Sequence, residues 1–216
     1  MLSFAEEIVL LLLDDEKGQF VDMPLSSIDV VIAGAALMDP ALHNRIDTDL
    51  QRLTVTDQTP TGDDILDHAL GLLAKAGDGL TVSAAVEEIA TYGERYKQQA
   101  LDRLVARGIL RQEEGRFLWV FHTRRYPVID DQEQREVKSR LRQILLSDEI
   151  PDPRDVVLIC LIDACSLFDL MLTADEMKAA APRIEQLRKM DLIGQAVAKA
   201  VAEIEFIIRH NTAAIH

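Results

Sequence analysis

"ERYKQQALDRLVARGILRQEEGRFLWVFHTRRYP", residues 94–127, holds two kinds of order in one run. Its first part reads as a helix that runs to Gly108, where glycine suits a left-handed cap. "ILRQEEGRFLWVF" then reads as two strands joined by a Glu-Glu-Gly turn. On a strand, side chains alternate between faces, so Phe117, Trp119 and Phe121 point one way while Leu118 and Val120 point the other. One set can face the core. The other needs a cover, which is a terminal helix of the same chain, a membrane surface or another copy. Arg124 and Arg125 follow directly.

Outward from this stretch the pattern is helical. "SFAE" at Ser3 and "TADE" at Thr173 read as capping boxes, and "SSID" at Ser26 is a weaker version with Asp29 in the acidic position. The helix after Ser3 is apolar nearly all round and therefore buried. The one after Ser26 carries Ala33, Gly34, Ala35 and Ala36, which permit close helix contact. A short strand is expected at residues 19–22 and another at residues 53–56. "TPTGDDILDHAL" and "GDGLTVSAAVEEIATYG" each open a helix. "DDQEQREVKSRLRQILL" places Val137, Leu141, Ile144 and Leu145 on one stripe. An apolar helix follows from Asp152 through Leu172, and two more are expected at residues 173–189 and 193–209. The fold class is mainly α: a bundle of amphipathic and buried helices with a protruding β-hairpin, in a single domain over residues 1–216.

The chain has 216 residues and a net charge of −14. That balance argues against nucleic acid as a partner. The charge is uneven, because residues 95–142 hold twelve Lys/Arg against seven Asp/Glu. Such a basic island suits either an anionic ligand or an internal salt-bridge surface between helices. Cys160 and Cys165 lie five apart in an apolar run and read as core thiols of a reducing compartment. No secretory signal is expected after Met1, and no membrane-spanning helix: "IVLLLL" is too short and residues 155–172 carry Asp163 and Asp169.

No nucleotide loop, zinc-protease helix or nucleophile elbow is present. The nearest approach to a catalytic or metal site is Asp64, Asp67 and His68 in "GDDILDH". Asp63 and Asp64, however, sit where a helix N-terminus attracts carboxylates without any ligand. No catalytic residue, metal or cofactor is assigned. A helix followed by a two-stranded wing with arginines also fits a winged-helix DNA-binding regulator, with phosphate contacts from Arg95, Lys97, Arg116, Arg124 and Arg125. The acidic remainder and the apolar wing oppose that alternative.

"LSFAEEIVLLLLDDEKG", "TPTGDDILDHAL", "RLVARGILRQEEGRFLWVF" and "RDVVLICLIDACSLF" together resemble the Golgi phosphoprotein 3 family, and P-T-G-D-x-x-L-D at residues 60–67 is the most specific block. The resemblance implies a non-enzymatic, cytoplasmic protein peripheral to the membrane, at the Golgi in a eukaryote. The eukaryotic members bind phosphatidylinositol 4-phosphate and help retain glycosyltransferases. By the resemblance, Phe20 stands where the headgroup pocket has a tryptophan, Asp29 replaces an arginine, and Lys97 matches one of two basic positions. The other falls on Glu94, with Arg95 beside it. The candidate headgroup residues are therefore Phe20, Arg95 and Lys97, in a pocket altered by Asp29 and Glu94. The basic N-terminal tail used for coat binding is not expected, since the sequence opens almost at its first helix. The candidate contact element is the hairpin, with Phe117, Leu118, Trp119, Val120, Phe121, Arg124 and Arg125. Its partner is an anionic phospholipid surface or a second copy.

Overall fold

Almost every side chain of the helix spanning Leu25–Leu42 is buried, and the other helices are arranged around it. The computed structural model describes residues 2–14, 17–49, 51–77, 79–117, 121–190 and 192–213. In chain order these form α1 (Phe4–Leu12), α2 (Leu25–Leu42), β1 (Ile46–Thr48), β2 (Arg52–Val55), α3 (Asp64–Ala76), β3 (Leu80–Thr81), α4 (Val82–Ala90) and α5 (Gly93–Ala106). There follow β4 (Glu113–Phe117), β5 (Phe121–Arg125), α6 (Gln132–Leu145), α7 (Pro153–Ala164), α8 (Ala174–Leu187) and α9 (Leu192–Ala213). Helices α1, α3, α4, α5, α7 and α9 all pack on α2. Strands β1, β2 and β3 make a small antiparallel sheet, and β4 pairs with β5 as a separate hairpin. The architecture is mainly α with a hairpin, and one apolar core runs from Leu2 to Val201.

The small residues of α2 set how closely its neighbours approach. A Cβ added to Gly34 would lie 2.8 Å from Leu161 on α7 and 3.0 Å from Val201 on α9. By length and composition α2 could also cross a membrane, which the sequence reading did not expect; 78% of it is buried within the bundle, as a core helix would be. Both capping boxes form, Ser3 with Glu6 and Thr173 with Glu176. Gly108, at φ +73°, ends α5: Ile109 N–H donates to Leu104 O and Gly108 N–H to Val105 O, a complete Schellman motif.

Several expectations need correction. Helix α2 begins at Leu25 after Pro24, without a side-chain cap, so Ser26 is not an N-cap and Asp29 lies inside the helix. Proline pre-sets the entry where a hydroxyl was expected to. The expected strand at residues 19–22 reduces to one bridge, Phe20 with Leu13. The apolar helix from Asp152 stops at Ala164 rather than Leu172. Ser166 adopts φ +57°, Leu167 N–H reaches Ile162 O, and a 3₁₀ turn follows at Phe168–Leu170. The Glu-Glu-Gly segment is not the hairpin turn but part of β4. Glu113 stands opposite Arg125, Gly115 opposite Thr123 and Phe117 opposite Phe121, so the apolar run does not form one continuous strand.

Four helices meet at a buried ion network. The Glu7 carboxylate accepts from Arg140 Nη2 at 3.0 Å and Arg154 Nη2 at 2.8 Å. Arg154 also donates to Asp39 Oδ1 at 3.2 Å and to Leu2 O at 2.7 Å, with its guanidinium 4.0 Å from the Phe4 ring centroid. Asp39 accepts from Phe4 N–H at 2.9 Å, and Arg140 donates to Asp155 at 2.8 Å. Burial pushes Glu7 and Asp39 above ordinary carboxylate values despite the arginines beside them. Both carboxylates are met by arginine, which makes such buried charge tolerable, although Arg154 Nε itself is buried without a partner.

The start of α3 is a second lock. Asp63 accepts from Ile65 and Leu66 N–H, while Arg103 of α5 grips it through two nitrogens at 2.6 and 3.1 Å. Asp67 accepts from Thr61 N–H, Thr61 Oγ1 and Gly62 N–H. The residues of the P-T-G-D-x-x-L-D block thus cap a helix and tie it to α5. Burial alone would raise Asp63, but Arg103 and the two amides outweigh it and hold the carboxyl below its usual value of 3.8. A depressed folded pKa gives stability that is present above the unfolded value and is lost as pH falls through the folded one.

Two outcomes follow from these contacts. Arg154→Met leaves Asp39 without its arginine and Glu7 with Arg140 alone, and is expected to cost about 3–5 kcal/mol in urea unfolding; a loss under about 1 kcal/mol would show the network to be replaceable. Asp63→Ala is expected to cost about 1–2 kcal/mol at neutral pH. That difference from wild type should shrink as pH drops below 3.8, and a gap that persists in acid would contradict the ionic account.

Candidate functional site

Of the three residues assigned to the headgroup site, Phe20 and Lys97 come together with Asp29 and Glu94, and Arg95 does not. A Cβ on Gly93, the first residue of α5, would lie 2.4 Å from Asp29 Cβ, so the start of α5 presses directly on α2. One turn later, Lys97 lies over this contact. Its ammonium pairs with Glu94 and sits 5.4 Å from the Phe20 ring centroid, with Lys97 only 6% exposed. Asp29 is pushed above its ordinary value chiefly by burial, with Lys97 opposing and Glu94 adding to the rise. Its Oδ1 is buried without a hydrogen-bond partner. The group is therefore one buried cation that pairs with Glu94 beside the Phe20 ring, with the Asp29 carboxyl near enough to feel its charge.

Arg95 belongs elsewhere. Residues two apart on a helix do not share a face, and Arg95 turns toward α3, with Nη1 3.3 Å from His68 Nε2. The other ring nitrogen, Nδ1, is 2.6 Å from the hydroxyl of Tyr96, whose ring is fully buried and whose pKa burial raises to about 12. Burial, with Arg95 and Lys75 nearby, lowers His68. His68 and Asp67 thus serve separate hydrogen-bond groups, and among the described residues no cluster of three metal-binding side chains occurs.

Most of the basic island is committed within the chain. Arg103 pairs with Asp63, Arg107 with Glu6, Arg111 with Glu113, Arg135 with Asp131, Arg140 with Glu7 and Asp155, and Arg142 with Glu176. These contacts favour the salt-bridge reading of that segment; on α5, the helix of the winged-helix alternative, Arg103 is taken by Asp63 and Arg95 meets His68. Arg124 and Arg125 on β5 differ: both are exposed, and although the register sets Glu114 and Glu113 opposite them, no ion pair joins either arginine to a side chain among the described ones. Leu118, Trp119 and Val120 lie outside the described residues, and Phe117 and Phe121 are described by their backbone alone.

The root of the hairpin adjoins the Phe20 segment. Tyr126 N–H donates to Gly18 O at 2.7 Å, and a Cβ on Gly18 would fall 2.3 Å from Pro127 N. The Tyr126 hydroxyl accepts from Gln98 Nε2 on α5 at 3.2 Å. Beside Phe20 a cleft of about 580 Å³ is lined by Lys17, Met23, Leu25 and Ile28 among others, and Leu25 is 68% exposed. The sequence drew no attention to Leu25, whose exposure depends on α2 starting one residue after Pro24.

Vacuolar protein sorting-associated protein 74 of Eremothecium gossypii is 27% identical to this chain over 178 residues, which is 73% of this chain and 51% of that protein. The chain thus spans about half the length of the curated relative it matches. The model of the family described as Golgi phosphoprotein 3 (GPP34) matches residues 4–204, nearly the whole chain, and the protein belongs to that family.

Proposed function

We propose that this chain is a non-catalytic adaptor that docks reversibly on an anionic membrane surface through the β4–β5 hairpin and the adjoining Phe20–Leu25 edge. Its place is the cytosolic face of a membrane, the Golgi where the cell has one. The observation that carries this reading is the pair Arg124 and Arg125, exposed and unpaired among the described residues in an island whose other arginines are largely committed. Family membership and the exposed Leu25 beside Phe20 support it.

The magnitudes favour a weak, reversible contact. Each arginine near an anionic surface contributes about 1 kcal/mol, and one large apolar side chain about 1.5–3 kcal/mol more. Together they correspond to roughly millimolar to sub-millimolar affinity for one protomer. The Asp29–Lys97–Glu94 group adds no attraction for a phosphate, so surface charge rather than headgroup identity governs docking. Phosphatidylinositol 4-phosphate is then bound no better than another anionic lipid of equal charge density.

Co-sedimentation with vesicles tests both statements. Wild type should pellet with phosphatidylserine vesicles at low salt and stay in the supernatant with neutral ones. Arg124→Glu/Arg125→Glu should weaken pelleting by about tenfold or more. Wild type that stays in the supernatant at every anionic composition ends the membrane reading, and concentration-dependent self-association in light scattering would then assign the hairpin to a second copy. A strong preference for phosphatidylinositol 4-phosphate at matched charge would overturn the account of the headgroup group.

A further inference from the structure

The ring of His68 on α3 is held at both nitrogens by two successive residues of α5. Nδ1 lies 2.6 Å from the Tyr96 hydroxyl, and Nε2 lies 3.3 Å from Arg95 Nη1. Tyr92, just before α5, meets the same ring in a T-shaped contact with centroids 4.8 Å apart. A guanidinium only donates, so Nε2 carries the lone pair and Nδ1 the proton, which goes to the Tyr96 oxygen. The neutral ring in this tautomer satisfies both contacts. The imidazolium cannot, because its Nε2–H would face a donor and its charge a like charge.

The charges that bear on the ring are the cations Arg95 and Lys75. Nearby carboxylates are engaged elsewhere. Asp64, one turn earlier on α3, bears on Arg103, and Asp67 is taken by Thr61 and Gly62. On α5, Glu94 pairs with Lys97, Asp102 accepts from Gln98, and Arg103 holds Asp63. From α2, Asp29 answers to Lys97 and Asp39 to Arg154. Glu87 and Glu88 of α4 are exposed, and Arg52 of β2 lies beside Gly79. Burial first, and then the two cations, push His68 below its ordinary 6.5.

We propose that His68 is a pH latch between α3 and α5, closed on Arg95 and Tyr96 when neutral and opened by protonation in mild acid. Arg95 is exposed and leaves for solvent, while Tyr96 is buried and stays. The turn released is the one whose Gly93 presses on Asp29, so the loosening reaches α2. Because the folded pKa lies below the unfolded one, the latch stabilises fully above pH 6.5 and is lost as pH falls through the folded value. It uses neither the hairpin nor a membrane, so it stands apart from the docking reading.

Heteronuclear NMR of the imidazole nitrogens in the whole chain tests it, with the His68 signals assigned by their loss in His68→Gln. His68 should titrate below 6.5, and the neutral ring should carry its proton on Nδ1. Arg95→Gln, on an exposed position, should raise that pKa. The Tyr96 amide donates to Tyr92 O at 3.0 Å. Its protection from hydrogen exchange should fall by about threefold or more between about pH 7.5 and about pH 5, and should hold in His68→Gln. A pKa at or above 6.5, a neutral ring protonated on Nε2, an unmoved pKa in Arg95→Gln, or a loss of protection that is absent or shared by His68→Gln would each overturn the latch.

Discussion

Arg154 makes one guanidinium answer to three helices at once. It meets Glu7 on α1 and Asp39 on α2 from its own position on α7, and the chain before α1 through Leu2 O. Arg140 on α6 joins through the same Glu7. An apolar core holds helices together without specifying their rotation. A shared, desolvated guanidinium specifies it, since any slip leaves charge unpaired in a low-dielectric interior. Asp39 further ties the first amide of α1 to the far end of α2, so the register of the central pair follows from one carboxylate. Everything mounted on α2 and α5, including the Phe20 segment, inherits that register.

The features legible in the sequence were those whose chemistry is local. Ser3 with Glu6, Thr173 with Glu176 and Gly108 each complete hydrogen bonds within a few residues, so the residue types alone announce them. The stripe of Val137, Leu141, Ile144 and Leu145 was equally plain, and all four are buried. The misreadings came where a remote partner decides. Ser166 ends α7 in a left-handed conformation that serine seldom adopts, and nothing in the apolar run around it signals a break. Glu-Glu-Gly suits a turn by residue type, whereas the backbone register sets Glu113 opposite Arg125 within the strand.

The candidate site was half legible for a similar reason. Family resemblance brought Phe20, Lys97, Asp29 and Glu94 to attention, and the fold does gather them. Arg95 seemed a substitute for a missing basic residue because it is adjacent in sequence. Helical geometry sends it to His68 instead. The absence of space at Gly93 could not be read at all, because a glycine opening a helix looks ordinary until Asp29 is found against it. In the motif at residues 60–67, Asp63 and Asp67 are engaged by amides, a hydroxyl and Arg103, as acids at a helix start commonly are.

Gly18 has no room for a side chain because the backbone of Tyr126 and Pro127 lies against it. The foot of the ribbon and the segment bearing Phe20 are therefore welded, main chain to main chain, with no soft side-chain layer between them. A push on the ribbon is delivered to the entrance of α2 without being absorbed on the way. The ribbon's foot cannot shift without displacing Gly18, six residues before the entrance of the central helix.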